Sequence, residues 1–306
     1  MKTKTTYYKI GQSLPPRHWY QRRVGWFGKS MVAVMALVVI GGGAYGKFML
    51  HEESKVRASQ SSRLEKLNKT TPVLSSSNEN IIDVQFVLDR WAKERSGETW
   101  SVSARSIDGA KFQAQINGDK SYESVTAGQL LLTLPLFSQI PAEQHKGIQL
   151  SSGKKMEACV NLMIRLGDTD CGNQVAGYID FRKVDGVLQK NGIKKTSFTG
   201  TKARTTADDM AAFMAVLQGG VLQKNAQDVV LKSLREQRIR SGIPAACPGC
   251  VIANEASESS SVHDVAIIQY NGGSYVLSIF TKDGSLADIA ELSGRIQQKI
   301  IDTAAH

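Results

Sequence analysis

Val262-His-Asp-Val-Ala-Ile-Ile-Gln-Tyr270 and Ser274-Tyr-Val-Leu-Ser-Ile-Phe280 flank Asn271-Gly-Gly273. Both runs favour strands, and the Asn-Gly-Gly between them supplies the positive-φ positions of a tight turn, so the pair predicts a β-hairpin. A second hairpin is predicted towards the other end of the same region, where Trp100-Ser-Val-Ser-Ala-Arg105 and Lys111-Phe-Gln-Ala-Gln-Ile116 alternate about Asp108-Gly109. Between the hairpins, apolar residues return at helical spacing near 127–138, 155–166, 173–190, 206–218 and 224–240. The fourth of these has a readable start and stop. Thr205 or Thr206 can cap it, Asp208 and Asp209 suit its positive first turn, and Gly219 ends it. Helices are also predicted from Ile81-Ile-Asp-Val-Gln-Phe-Val-Leu-Asp-Arg-Trp-Ala92 onward and over Leu286 to Ile301. Hairpins and helices at both ends with helices between them imply an antiparallel sheet closed by both termini, an α+β architecture. There is no internal repeat.

Upstream of this region the chemistry changes. The formal net charge is +10 over 306 residues, but residues 1–30 hold Lys2, Lys4, Lys9, Arg17, Arg22, Arg23 and Lys29 and no acid, which leaves only +3 for the rest. A stretch without charge follows, Met31-Val-Ala-Val-Met-Ala-Leu-Val-Val-Ile-Gly-Gly-Gly-Ala-Tyr-Gly46, continued by Lys47 to Leu50. Twenty residues of helix suffice for a hydrocarbon core of ~30 Å if Lys47 snorkels. The basic region is too long for a cleaved signal peptide, so 31–50 is expected to be a single transmembrane anchor. Residues 1–30 would be a cytoplasmic tail and the rest extracytoplasmic, with Trp26 and Phe27 at the inner interface and anionic lipid head groups as partners of the tail. Residues 51–80, rich in Ser, Lys, Glu, Thr and Asn, read as a polar stalk. About 226 residues, 81–306, remain for one well-buried domain.

Composition excludes several classes. With 42% hydrophobic and 22% charged residues the chain is neither wholly disordered nor a multi-span membrane protein. Five scattered histidines offer no metal-ligand spacing, and no cofactor motif is present. Once the basic tail is assigned to topology, nucleic acid is not an expected partner.

Read in order, Asn117-Gly-Asp-Lys-Ser-Tyr-Glu-Ser-Val-Thr-Ala-Gly-Gln-Leu130, Cys159-Val-Asn-Leu-Met-Ile-Arg-Leu-Gly-Asp-Thr169, Asn191-Gly-Ile-Lys-Lys-Thr196, Thr205-Thr-Ala-Asp-Asp-Met-Ala211, Ile243-Pro-Ala245, Val251-Ile-Ala-Asn-Glu-Ala-Ser257 and His263-Asp-Val-Ala-Ile267 carry a resemblance over roughly residues 80–303. The chain resembles the class A serine β-lactamase and penicillin-binding-protein (D,D-peptidase) superfamily. That resemblance implies a five-stranded antiparallel sheet with terminal helices packed on it, an all-α subdomain, and a cleft built from Ser-x-x-Lys, Ser-Asp-Asn and Lys-Thr-Gly.

All three motifs are altered. The first falls on Thr126 and Gln129, the second on Gly167, Asp168 and Thr169, and the third on Glu255, Ala256 and Ser257. The segment Phe198 to Thr205 lacks the loop that carries the family's deacylating glutamate. A hydroxyl needs an adjacent base, which Gln129 cannot be; loss of a general base typically costs ~10²–10⁴ in rate. Gly167 removes a proton-relaying hydroxyl, and Glu255 inverts the charge that the family turns towards a substrate carboxylate. Asp168 is expected to cap a helix or stabilise a loop. Pro135 is expected to kink or end the helix behind Thr126. Ser124 is an alternative nucleophile that also lacks a lysine, with Lys154, Lys155 and Lys202 as alternative bases. His263 and Asp264 are placed at the start of a strand, where a triad using them has little support beyond composition.

The four cysteines lie beyond the expected anchor, where disulfides persist. Among three connectivities, Cys159–Cys171 with Cys247–Cys250 is favoured, the latter across a small hairpin loop. A redox role for Cys247 and Cys250 would need a strand-to-helix context, and zinc a second close pair. Two function classes follow. One is a membrane-anchored pseudoenzyme binding a peptidoglycan stem peptide or an envelope protein; the other is a divergent β-lactamase or D,D-peptidase using Thr126 or Ser124.

Overall fold

A computed structural model describes residues 81–199, 202–259 and 261–304. The tail, anchor and stalk expected over 1–80 lie outside the described residues. Among the described residues, no helix is long and apolar enough to cross a membrane.

The chain enters through α1 (Gln85–Glu94) and runs into β1 (Trp100–Asp108), β2 (Gln113–Ile116) and the short β3 (Ser121–Ser124). The helical block comprises α2 (Val125–Leu131), α3 (Thr133–Gln139), α4 (Met156–Leu166), α5 (Thr169–Ala176) and α6 (Val184–Lys190). After β4 (Ser197–Thr199) and β5 (Lys202–Thr206) come α7 (Ala207–Gln218) and α8 (Lys224–Arg235). Strands β6 (Val251–Glu258), β7 (Val262–Tyr270) and β8 (Gly273–Thr281) and the long α9 (Leu286–Ala304) complete the fold. The main sheet is antiparallel with five strands in the order β2-β1-β8-β7-β6, so both predicted hairpins join one sheet and β6 is an edge.

Alternation along these strands divides the core in two. Val102, Ala104, Ile252, Ala266, Leu277 and Ile279 face α1 and α9, where Trp91, Leu88, Leu292 and Ile296 are buried. Ala253, Val265, Ile267, Val276 and Phe280 face the helical block with Leu130, Met163, Phe213 and Met214. The terminal helices are further tied by Arg95 and Arg295, which bracket the Trp91 ring at 4.8 and 5.1 Å.

Several local expectations need correction. The helix expected over 127–138 breaks at Leu132, because Pro135 has no N–H and its ring would meet the carbonyl of Leu131. The helix expected over 173–190 is two helices. Tyr178 and Ile179 turn back on Val175 and Ala176 after α5, and the Asp180 carboxylate then opens a 3-10 turn by accepting from Arg182 N at 3.2 Å. The helix at 224–240 ends at Arg235, since Gln237 turns its side chain onto β6 instead. Cys247–Cys250 is bonded as expected, but its turn joins a 3-10 segment, Ile243–Ala246, to β6 and is not a hairpin loop. A second sheet, β3-β5-β4, was not anticipated. Thr206 is the cap of α7, accepting from Asp209 N at 3.0 Å.

Candidate functional site

Two helix ends and the edge strand deliver the three altered motifs to one place. Ser124 closes β3 and caps α2, its Oγ accepting from Ala127 N at 3.1 Å. Thr126 is thereby fixed in the first turn of α2, half-buried. Gly167 ends α4 in the left-handed conformation, φ 69°, with its N–H on Met163 O at 3.1 Å. A glycine therefore has a backbone reason to stand here, and a Cβ added to it would lie 3.5 Å from the Thr126 methyl. Asp168 is the cap of α5, as expected, accepting from Cys171 N at 2.9 Å, and Thr169 is that helix's exposed first residue. The Cys159–Cys171 disulfide ties α4 to α5 across this turn.

Gln129 is brought near the site but not into it. Its side chain is 1% exposed and lies against Gly172, where even a methyl group would collide with the amide. Neither amide atom of Gln129 has a hydrogen-bond partner among the described residues.

Glu255 also departs from its expected role. Its side chain turns inward, 1% exposed, and Oε2 lies 2.9 Å from His263 Nε2. The contact follows from register. Glu255 pairs with Val265 and Ser257 with His263, so Glu255 and His263 are diagonal neighbours on one face of the β6–β7 ladder. His263 is fully buried, stacks on Phe280 at 4.8 Å, and faces the Ser261 carbonyl through Nδ1 at 3.3 Å. Thr126 Oγ1 lies 3.5 Å from the same Nε2 and 3.5 Å from Ser124 Oγ.

These positions decide what the group can do. In a nucleophile–base–acid relay, the acid holds the far ring nitrogen so that the near one can accept the nucleophile's proton. Here Glu255 occupies the near nitrogen, and the far one faces a carbonyl. Both ring nitrogens meet acceptors, which is the arrangement of an imidazolium. Burial works against that charge, but the Glu255 carboxylate and its hydrogen bond outweigh it and raise the His263 pKa above the ordinary imidazole value. With Nε2 engaged by Glu255, the ring offers no free lone pair to take a proton from Thr126. Among the described residues no lysine amine hydrogen-bonds Thr126, and Lys202 instead reaches towards Glu123 at 3.6 Å. Ser124 is 1% exposed and its oxygen is used in capping. No cluster among the described residues fits a metal ion.

The free edge of β6 is covered by the chain just after α8. Gln237 Nε2 donates to Ala256 O, Arg240 Nη1 to Ile252 O, and Asn254 Nδ2 to Ile239 O, each at 3.1 Å. Arg240 also donates to Asn254 Oδ1 at 2.7 Å, and Arg238 N bonds Arg165 O at 3.1 Å. The remaining cleft is about 170 Å³, with Thr126, Gly167, Ala256 and Ser257 among its walls. Ligand pockets usually span ~300–1,000 Å³, so only a small group fits. The Glu255–His263 pair escaped the sequence reading although a signal existed. The two flank the turn between β6 and β7, and pairing those strands sets them on one face. The strip Gln237–Arg240 has no periodicity by which it could be found.

The fold agrees with the comparisons. Residues 84–304 match the family model described as "Beta-lactamase enzyme family". The β-lactamase from Sphaerobacter thermophilus DSM 20745 superposes with TM-score 0.61 at 18% identity, covering 73% of this chain and 98% of that one. An acyl-enzyme complex of a PBP-A mutant with penicillin G gives TM-score 0.60 at 15% identity over 72% and 97%. A class A β-lactamase from Bacteroides cellulosilyticus DSM 14838 gives 0.59 at 12% over 74% and 99%. No curated sequence matches the chain. With the family model spanning nearly all of the described residues, and the fold shared with both β-lactamases and PBP-A, the chain belongs to the β-lactamase enzyme family.

Proposed function

We propose that this chain is a catalytically silent member of the family, anchored by residues 31–50 with its folded domain outside the membrane, where it binds a cell-wall peptide or an envelope protein without forming an acyl-enzyme. One observation carries the loss of catalysis: His263 Nε2, the only basic nitrogen hydrogen-bonded to Thr126 among the described residues, is engaged by Glu255 at 2.9 Å and so is not free to take the Thr126 proton. The family-position base is a glutamine turned towards Gly172. The basic tail and apolar run support the anchor, and the two disulfides suit an oxidising compartment.

The test is covalent labelling. Full-length protein in detergent is incubated with a fluorescent penicillin, chosen because a PBP-A mutant of this fold forms an acyl-enzyme with penicillin G, and its intact mass is measured. No adduct is expected. An adduct mapping to Thr126 or Ser124 overturns the proposal. A second reading, residual hydrolysis by Thr126, is favoured by one observation, its 3.5 Å approach to His263. It requires Glu255 to release Nε2, so labelling that appears only in Glu255→Gln would mark the pair as what holds catalysis off.

A further inference from the structure

The two disulfides stand in opposite surroundings. Cys159 and Cys171 are fully buried where α4 meets α5, so an incoming thiol cannot reach their sulfurs. Cys247 and Cys250 are only half-buried, in the last turn of the chain between the strip Gln237–Arg240 and β6. Pro248 and Gly249 between them are exposed, and a Cβ built on Gly249 would meet no atom within 4 Å, so the turn opens to solvent.

The fold also holds this bridge loosely. A cross-link that adds little to the fold is by linkage held little by the fold, and a bridge between residues 3 apart restricts the unfolded chain less than one between residues 12 apart. Backbone bonds keep the turn without it. Cys250 N donates to Cys247 O at 3.0 Å, Ala245 N to Gly242 O at 3.0 Å, and the buried Asp264 carboxylate accepts from Ile243 N at 2.8 Å. The two cysteines, 5.4 Å apart between Cα atoms, therefore stay neighbours when their sulfurs are parted. A 3-10 segment leads into the turn and a strand leaves it, so no helix N-terminus makes either sulfur a standing thiolate. Such a pair is suited to being attacked, not to attacking.

We infer that Cys247–Cys250 is a reversible thiol–disulfide exchange site, which accepts a pair of electrons from a dithiol while the domain stays folded, and that Cys159–Cys171 is a closed structural bridge. A thiolate of the dithiol attacks one sulfur and forms a mixed disulfide, and the other cysteine leaves as a thiolate and takes up a proton. The second thiol of the reductant then displaces the first cysteine. The reductant departs as a disulfide, and the electrons and protons that it gave up are held by Cys247 and Cys250 as thiols. Neither step uses Thr126, so the exchange is independent of whether the protein forms an acyl-enzyme.

The test is reduction of the full-length protein in detergent by dithiothreitol, quenched with acid and mapped by mass after alkylation in denaturant. Because attack depends on access to the sulfur, Cys247 and Cys250 are expected to become labelled at least about tenfold faster than Cys159 and Cys171. Transfer of the reduced protein to oxidised glutathione should restore the bond. Urea unfolding of the reduced protein should give the same midpoint as the variant Cys247→Ser with Cys250→Ser, which would place the reduced form in the folded state. Reduction of both bridges at equal rates, a reduced protein with no urea transition, or a pair that does not re-form would each overturn the inference.

Discussion

His263 and Glu255 meet through Nε2 and Oε2 at 2.9 Å, with side chains 0% and 1% exposed. A buried ion pair is a weak source of net stability, but removing one partner strands a charge and typically costs ~3–5 kcal/mol. Glu255→Gln or His263→Leu should therefore lower unfolding free energy by about 3 kcal/mol each, while the double variant Glu255→Leu with His263→Phe should stay close to wild type. Urea unfolding measures this. Single variants within about 0.5 kcal/mol of wild type, the usual surface-substitution range, would show that the two side chains are not coupled.

The same region sets a pH dependence. Burial pushes Asp264 from 3.8 up to about 7, against hydrogen bonds from Asn254 Nδ2 and Ile243 N that favour its ionised form. Its folded pKa is raised, so the folded state binds more protons than the unfolded chain between 3.8 and about 7, and stability falls as pH rises through that window. The raised His263 acts in the same sense at higher pH. Its contribution is complete below the unfolded imidazole value of 6.5 and is lost as pH rises through the folded value. Asp264→Asn should flatten the slope of unfolding free energy between about pH 4 and 7 relative to wild type, by an amount on the order of a few kcal/mol across the window. An identical slope in the variant would refute the assignment.

Much of the fold was legible because its signals are local. Asn271-Gly-Gly273 and Asp108-Gly109 marked the hairpins, Thr206 with Asp208 and Asp209 marked the start of α7, and Pro135 marked the break between α2 and α3. Motif spacing likewise brought Thr126, Gly167 and Ala256 to one cleft. What was not legible depends on side-chain direction. Gln129 follows the helical register of Thr126, yet its rotamer points to Gly172. Glu255 reads as a free negative charge until β6 and β7 are paired in register. Strands β3, β4 and β5, with four, three and five residues, are too short to declare a period, so the second sheet was invisible.

Gln129 and Gly172 offer a stability test of the inward rotamer. The buried amide has no partner among the described residues, and leaving such a group unpaired costs about 1–3 kcal/mol. Gln129→Met keeps the shape and removes the polar atoms, so unfolding free energy should be unchanged or raised by about 1 kcal/mol. Gly172→Ala drives a Cβ into Gln129 Nε2 and should destabilise by about 1–3 kcal/mol as overpacking does. In a Gln129→Ala background that penalty should largely vanish. Additive effects in this double-mutant cycle would mean that the glutamine lies elsewhere.

The two disulfides should differ in worth. Cys159–Cys171 joins residues 12 apart, and Cys247–Cys250 joins residues 3 apart. Cross-linking restricts the unfolded chain by an amount that grows slowly with loop length, about 3 kcal/mol for the longer loop and about 2 for the shorter. The longer bridge also holds α4 to α5 beside Gly167 and Asp168, and so fixes the wall of the cleft that carries Arg165. Replacing Cys159 and Cys171 by alanine should lower the urea midpoint more than replacing Cys247 and Cys250. If the shorter bridge proved the more stabilising, loop length would not set the worth of these two bridges, and the α4–α5 clamp would add nothing to the stability of the fold.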